Sequence, residues 1–429
     1  MTAHLAWTQS IPSDWAVKPL RAVAGFVASN VDKIPVVGER HVRLCNYSDV
    51  YNNEYVTLRL DFMKGTATED EVRRFGLRVG DVLITKDSES WDDIAIPAMV
   101  AETADDLVCG YHLALLRPNG TVLSGRFLLR CLQAKVLRVQ LELAANGVTR
   151  FGLPKSAIGG LRLPVPPLDR QVVIAEFLDR ETARIDALIA AKRRLLELLA
   201  EKRKAIIATA VTRGLDPNVK LRDSGVPWLG EIPAHWEIER ARWLFRERDV
   251  RSTTGEEEML TVSHLTGVTP RSEKDVNMFE AETNEGYKCC ALGDLVINTL
   301  WAWMGAMGIA PVNGIVSPAY NVYEPGPRLA PAFIDALVRL PVFAQEVTRY
   351  SKGVWSSRLR LYPEGFFEVY LPVPPQEEQR AIVLHIARET AKLDAVRSAT
   401  ERTIVLLKER RAALIAAGVT GQLIAEGHR

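Results

Sequence analysis

Two stretches of the chain carry apolar residues at steps of three, four and seven. In the first, Ile174, Leu178, Ile185, Leu188, Leu195, Leu199 and Ile206 recur with polar residues between them. In the second, Ile382, Ile386, Leu393, Val396, Leu407 and Leu414 do the same, with Thr403 in the remaining place. Such spacing lays one apolar stripe along a helix and reads as a heptad seam. Proline cannot continue a helix backwards, so the helices are predicted to start after Pro167 and Pro375. Gly214 and Gly421 mark their ends. Each helix then holds about forty residues and spans roughly 60 Å. A helix of that length with one apolar stripe needs a partner. The other copy, packed antiparallel in the same chain, is the simplest one.

The regions outside these helices alternate in short apolar runs, which predicts strands at 56–62, 80–85, 94–100 and 113–116, then at 260–264, 293–298 and 321–324. The stretches 126–145 and 331–350 read as helices that close two mixed domains.

The pattern is also written twice. Leu163-Pro164-Val165-Pro166-Pro167 returns as Leu371-Pro372-Val373-Pro374-Pro375, an offset of 208 residues. The same offset carries Gln171 onto Gln379, Glu181-Thr182-Ala183 onto Glu389-Thr390-Ala391, and Leu198-Leu199 onto Leu406-Leu407. Agreement at this density over a repeat unit is duplication. Outside it the likeness is looser: Ile11-Pro12-Ser13-Asp14-Trp15 resembles Ile232-Pro233-Ala234-His235-Trp236, and Gly80-Asp81-Val82-Leu83-Ile84 resembles Gly293-Asp294-Leu295-Val296-Ile297. Gly147-Val148-Thr149-Arg150 precedes the first proline motif much as Gly353-Val354-Trp355-Ser356 precedes the second. The expected order is a variable domain (1–162), a long helix (163–215), a second variable domain (216–370) and a second long helix (371–429). The fold class is therefore α+β with a pseudo-two-fold internal repeat and an antiparallel coiled coil. Glu181 and Lys202, with their repeat mates Glu389 and Arg410, occupy the seam and are expected to lock its register. The ordinary alternative is that these long side chains reach into solvent.

Composition narrows the function classes. Apolar residues make up 47% of the 429 residues and charged ones 25%, as in a folded protein. Lysine and arginine number 54 against 53 acids, so any anion-binding surface is a local patch. No run approaches the ~18–20 apolar residues that a bilayer requires, and Met1–Ser10 lacks the basic start and apolar run of a secretory leader. The five cysteines, Cys45, Cys109, Cys131, Cys289 and Cys290, are an odd and sparse set without zinc-type spacing. The adjacent last two read as ordinary buried thiols rather than a redox pair. The expectation is a reduced cytoplasmic protein.

Catalytic motifs are missing. The sequence holds no Gly-x-x-x-x-Gly-Lys-Ser/Thr loop, no His-Glu-x-x-His, and no Gly-x-Ser-x-Gly elbow. Enzymes that methylate a flipped base's amine set an acid or amide, two prolines and an aromatic in a row. Here the Pro-Pro pairs are preceded by Val165 and Val373 and followed by Leu168 and Gln376, so both chemistries are absent and the prolines read as hinges.

Two variable domains alternating with duplicated long helices resemble the specificity subunit of type I restriction–modification systems. The resemblance rests on Leu163–Pro167 with Gln171 and on Leu371–Pro375 with Gln376-Glu377-Glu378-Gln379. It also rests on 224–236, entering the second domain, and on Ile315-Val316-Ser317-Pro318-Ala319-Tyr320 within it. The departure is Leu168-Asp169-Arg170-Gln171, where the family typically ends in Glu-Gln, which puts a contact at the first hinge in doubt. The resemblance implies two target recognition domains, each reading one half of a split double-stranded DNA sequence. It implies helices that space them and dock two methyltransferase subunits, with motor-nuclease subunits alongside. S-adenosylmethionine, ATP and magnesium would serve those partners, and this chain alone would bind no cofactor and catalyse nothing. Two alternatives are a methylation-only or other phage-defence complex and, from another class, a coiled-coil adaptor that binds peptides.

Base edges favour asparagine, glutamine and arginine, while lysine and arginine position phosphates. On that ground the first domain offers Asn46, Tyr47, Asn52 and Asn53 in a polar-aromatic loop, Lys86 after a strand, and Arg150 and Lys155 flanking the hinge. The second offers Ser263 and His264 in the matching loop, then Trp301, Trp303, Lys352 and Arg358. Against this, tryptophan is more often core than contact, and Lys352 reads equally as a solvated charge. The runs Lys192-Arg193-Arg194 and Lys202-Arg203-Lys204 fit either a DNA-facing stripe or a solvated helix face.

Overall fold

A computed structural model of the chain describes residues 7–9, 11–273, 283–353 and 359–423. Its dominant elements are a central helix, Leu168–Arg213, and a distal helix, Gln376–Val419. By packing, the chain falls into two compact units, one of Met1–Arg193 with Glu401–Arg429 and one of Arg194–Thr400. Each unit therefore takes one part of each long helix.

The two helices pack together and run antiparallel. In the first unit Leu178 lies against Gly418, and Asp186 meets Arg411 at 3.0 Å. In the second unit Arg203 meets Asp394 at 2.6 Å. Within each unit the numbers fall on one helix as they rise on the other. The buried positions of the central helix include Gln171, Ala175, Leu178, Thr182, Ile185, Ile189 and Ala210, a strict three–four alternation once half-buried Lys192, Leu196, Leu199, Arg203 and Ile206 are added. Leu188 and its mate Val396, expected in the seam, are 47% and 46% exposed; Ile189 takes the inward place because it sits four residues after Ile185. The expected register lock is also different. Glu181 pairs with Arg180 on its own helix and Glu389 with Arg388 and Lys392 on its own, while Lys202 and Arg410 are exposed. The ion pairs that cross between the helices are instead Arg203–Asp394 and Asp186–Arg411.

The proline motifs are strands before they are hinges. Arg162–Val165 pairs antiparallel with Ala16–Pro19, and Tyr370–Val373 pairs with Glu237–Arg240 in the same way. Pro166-Pro167 and Pro374-Pro375 then turn each strand into its helix. Gln171 clamps the turn: its Nε2 donates to the carbonyls of Pro166 and Val122, and its Oε1 accepts from Ser124 N–H, all at 2.8 Å. Gln379 repeats this with Pro374, Arg328 and Ala330. Ser124 and Ala330 are the N-cap residues of two equivalent helices, so each glutamine also ties down the N–H at the entrance to a helix. At the far ends, Gly214 (φ +74°) and Gly421 (φ +79°) stop the helices. A Cβ on Gly421 would meet Pro12 and Trp15, and one on Gly214 would meet Glu378, Trp236 and Pro233. The Ile-Pro-x-x-Trp motif is thus a seat for a helix end. Glu378 lies 2.8 Å from His235 Nε2; the matching residues are Arg170 and Asp14, so acid and base change places.

Each unit carries one mixed domain with a common sheet order. In the first, Ala24–Ala28, Leu113–Pro118, Val82–Thr85 and Pro97–Val100 are neighbours in that sequence, with Tyr55–Val56 added at the edge. In the second, Phe245–Glu247, Tyr320–Pro325, Leu295–Asn298 and Met307–Ile309 repeat it. The expected strand at 56–62 is a turn after Val56, and Met63–Ala67 pairs instead with Arg40–Cys45. The closing helices are each broken in two: Gly125–Gln133 and Lys135–Glu142 part at an extended Ala134, and Pro331–Val338 and Pro341–Arg349 part before Pro341. The repeated Gly-Asp is structural in both, since buried Asp81 binds Arg117 at 2.6 Å and buried Asp294 binds Arg248 at 2.7 Å.

The domains are fastened differently. In the first unit Arg130, 1% exposed, reaches Glu54 at 2.8 Å and Asp179 of the central helix at 2.6 Å. Arg411 of the distal helix reaches the same Glu54 at 2.8 Å. In the second unit the positions matching Arg130 and Asp179 are Ala336 and Ala387, and the joint is apolar there.

Candidate nucleic-acid interface

In the first domain three turns converge at one edge of the sheet. Strand Val82–Thr85 runs out into Lys86, strand Leu113–Pro118 begins after His112, and Phe151–Gly152 pairs with Asp87–Ser88. Lys86 N–H donates to the His112 carbonyl at 3.1 Å, and Leu153 N–H donates to that of Lys86 at 2.9 Å. The Asp87 carboxylate accepts from Arg150 Nη2 at 2.6 Å and lies 3.0 Å from His112 Nδ1. Lys86 Nζ donates to the Ser29 carbonyl at 2.8 Å and stands 4.2 Å from the centre of the Tyr111 ring, a cation–π contact. Burial holds the Lys86 ammonium below its usual pKa, with Asp87 opposing and Lys155 adding to the effect.

The loop after strand Arg40–Cys45 faces the same edge. Asn46 N–H donates to Asp49 at 2.7 Å in a capping box for the short helix Tyr47–Tyr51, and Tyr47 stacks on Tyr51 at 5.4 Å. Asn46, Tyr47 and His112 line a cleft of about 400 Å³ with Lys33, Asp49 and Asp61 among its other walls. Burial pushes the Tyr47 hydroxyl pKa up. The structure therefore gathers Asn46, Tyr47, Lys86 and Arg150, with Lys155 close enough to act on Lys86. Asn52 and Asn53 sit at the other end of the short helix, where Asn53 Nδ2 donates to the Asp49 carbonyl at 2.9 Å.

The second domain uses the matching edge with different chemistry. Thr299 follows strand Leu295–Asn298 as Lys86 follows its strand; Leu361 N–H donates to its carbonyl at 3.1 Å, and its hydroxyl donates to the Ala319 carbonyl at 2.7 Å. The next turn, Ala302–Met304, presents two indoles. Trp301 is 48% exposed and Trp303 half-buried, their rings 6.4 Å apart and within 15° of parallel. Trp303 Nε1 donates to the Leu300 carbonyl at 3.0 Å, which fixes that ring. Trp301 is thus not a core residue. Lys352 exchanges backbone hydrogen bonds with Arg360 at 2.9 Å and leaves its side chain exposed. Ser263 ends the equivalent strand and pairs with Gly267, and His264 follows it where the chain turns straight back into Gly267–Pro270, so they belong to a hairpin rather than a helix start like Asn46 and Tyr47. Arg358 lies outside the described residues, as do Val354, Trp355 and Ser356.

Asp87, Tyr111 and His112 escape sequence reasoning, because an acid and an isolated histidine joined only through strand ends leave no spacing signal. Of the basic runs, Arg203 is consumed by Asp394 and Arg194 pairs with Glu197 at 2.7 Å. No helix among the described residues is long and apolar enough to cross a membrane.

No protein-family model matches the chain. In sequence it is similar to specificity subunits of type I restriction enzymes. It is 26% identical over 235 residues to the provisionally named MjaX subunit of Methanocaldococcus jannaschii, covering 53% of this chain and 52% of that one. It is 22% identical over 232 residues to the EcoKI subunit of Escherichia coli K12, covering 52% and 46%. The EcoBI subunit of Escherichia coli is 22% identical over 312 residues, covering 66% and 62%. The matches thus span about half of these curated relatives' length, and less than two thirds in each. Among solved structures, the HsdS subunit of Thermoanaerobacter tengcongensis superposes with a TM-score of 0.57 at 17% identity, over 96% of this chain and 98% of that one. A chain from work on complex assembly and conformational transition of the type I R-M system gives 0.66 at 18%, over 95% and 98%. At these identities the structural likeness establishes the fold.

Proposed function

We infer that this chain is a specificity subunit of a type I restriction–modification complex, a cytoplasmic protein that catalyses nothing alone and selects where on double-stranded DNA its partners act. One domain reads each half of a split target. The observation that carries this reading is a repeated frame with unlike ends. The Gln171 and Gln379 clamps are the same to the atom, whereas the sheet edges they support present Lys86, Asp87, His112 and Arg150 in one domain and Thr299, Trp301 and Trp303 in the other. Duplication that keeps the clamps and lets those edges diverge suits a protein that must see two different half-sites.

The helices supply docking surfaces for two copies of a methyltransferase subunit. Leu188 and Val396 are repeat mates and both about half exposed, and Leu198 and Leu406, also mates, are 45% and 63% exposed. Apolar side chains kept outside the seam at equivalent positions suit one partner bound twice. Motor-nuclease subunits complete the complex. S-adenosylmethionine, ATP and magnesium belong to those partners.

Mapping methyladenine genome-wide, in cells with and without this gene and with the methyltransferase present, tests the reading. Loss of a split motif with a fixed gap on deletion is the expected result. Unchanged methylation overturns it.

A further inference from the structure

We propose that Arg150 reads a guanine in the first half-site and that Asp87, backed by His112, is the positioning residue that aims it. The inference rests on the DNA-recognition reading above and adds to it a base, a residue and a mode of contact.

The guanidinium is held before any ligand arrives. Its side chain is 58% exposed, but the Asp87 carboxylate that grips it at 2.6 Å is only 15% exposed, and His112 Nδ1 lies 3.2 Å from the same Nη2. Asp87 is itself fixed in the ladder with Phe151–Gly152, next in sequence to Arg150. The loop that carries Arg150 is closed by a two-way backbone bridge between Asn146 and Gly152, at 3.1 and 2.8 Å. Gly147 lets it close: its φ is +145°, and a Cβ there would stand 2.0 Å from the Arg150 carbonyl oxygen. The guanidinium is therefore held by a half-buried acid on one side and carried by a short loop on the other.

A planar fork with a set orientation suits guanine, whose O6 and N7 are paired acceptors in the major groove, better than any other base. Both two-donor edges of a guanidinium include Nη2; Asp87 takes one of its two N–H groups, and with His112 Nδ1 donating to Asp87 the other stays beside Nε or Nη1 for that edge. A phosphate contact would not want this arrangement. Asp87 cancels much of the attraction for a phosphate and adds a repelling charge beside it, whereas a base edge carries no net charge. Lys86, turned onto Ser29 and Tyr111, is similarly withdrawn from the phosphates.

The test compares Arg150→Ala, Arg150→Lys and Asp87→Asn in the full complex, reading methylated motifs genome-wide and binding to the wild-type target against single-base variants. The expected result is loss of preference by about ten- to a hundred-fold at one G·C pair of the first half-site. The second half-site and the gap stay intact, which certifies folding and assembly. Lysine keeps the charge but not the fork, so it should behave like alanine; Asp87→Asn should relax the same base pair. Uniform weakening on all sequences with the motif retained, and a salt slope shallower by about one, would mark a phosphate contact and overturn the proposal. An unchanged preference in all three variants also overturns it. Failure of the wild-type complex to give any split motif would instead sink the functional reading. Should Arg150→Ala not assemble, the lysine variant, which keeps the ion pair available, decides.

Discussion

Arg203 on the central helix and Asp394 on the distal helix form an ion pair of 2.6 Å, and Asp186 and Arg411, their repeat mates, form the same pair at 3.0 Å with the helices exchanged. One interaction is therefore used once in each unit. Each pair sets a seam arginine against an exposed acid beside the seam, whose apolar positions, being regular, specify their own phase weakly. Reversing the charge of Arg203 with Glu should destabilise the second unit by roughly 1 kcal/mol, because the pair is partly exposed and a like-charge contact replaces it. Asp394→Arg alone should do the same, and the double variant should recover most of the loss in denaturant unfolding. Additive losses would mean that the pair fixes no register.

Much of this frame is legible in the sequence, and what is hidden has identifiable causes. The proline motifs, the offset and the helix ends are visible because proline, glycine and repetition are local. The phase of the seam is not, because Thr182, Lys192 and Arg203 occupy seam places that an apolar count passes over, leaving Leu188 to be chosen where Ile189 belongs. At the interface, Lys86 and Arg150 are visible as basic residues near strand ends. Asp87 is not, since its part depends on a strand pairing with Phe151–Gly152 that no periodicity announces.

The ion cluster of the first unit should make its stability depend on pH. Burial alone would push the Glu54 carboxyl pKa up, but the Arg130 and Arg411 guanidiniums outweigh this and hold it below its ordinary value. With the folded pKa depressed, the stabilisation is complete above the unfolded value of about 4.3 and disappears as pH falls through the folded one. A melting series from pH 7 down to 3 should show the first unit weakening below about pH 4.5. Glu54→Gln should lower the neutral-pH midpoint and flatten that dependence.

Arg130 should be the costliest single residue in that cluster. Arg130→Met takes the buried counter-charge from Glu54 and Asp179, leaving Arg411 on the first and Arg126 at 3.6 Å from the second, and should cost about 3 kcal/mol, the low end for a broken buried pair. Adding Asp179→Ala should restore part of it, since the second unit makes its equivalent joint with Ala336 and Ala387. A double variant no better than the single one would contradict this.

The clamp glutamines make a matched pair of predictions. Gln171→Ala removes one acceptor and two donor hydrogen bonds, stranding Ser124 N–H and the carbonyls of Val122 and Pro166. Leaving such groups unpaired costs about 1–3 kcal/mol each where water cannot reach them, so a loss of a few kcal/mol is expected. Gln171→Glu keeps the acceptor yet sets an anion against two carbonyls, and should be no better. Gln379→Ala should weaken the second unit to a similar degree. Limited proteolysis at the two proline turns separates the effects, each substitution opening its own turn first.

Exchange of the second variable domain, 216–370, should change half of the DNA target and leave the other half as it was. The strands Glu237–Arg240 and Tyr370–Val373, the Gln379 clamp and the seat made by Pro233 and Trp236 are frame, whereas Trp301, Trp303 and Lys352 belong to the edge that varies. A donor domain that keeps Ile-Pro-x-x-Trp at its start and Leu-Pro-Val-Pro-Pro after its end should therefore graft without redesign. Inserting one heptad into both long helices is the complementary change. It lengthens each by about 10 Å at 1.5 Å per residue, close to three base pairs of B-DNA at 3.4 Å each. Methylation mapping should then return both half-sites unaltered with a longer gap. If the insertion altered a half-site, or the exchange altered the gap, base reading and spacing would not be divided between edge and frame in the way these residues require.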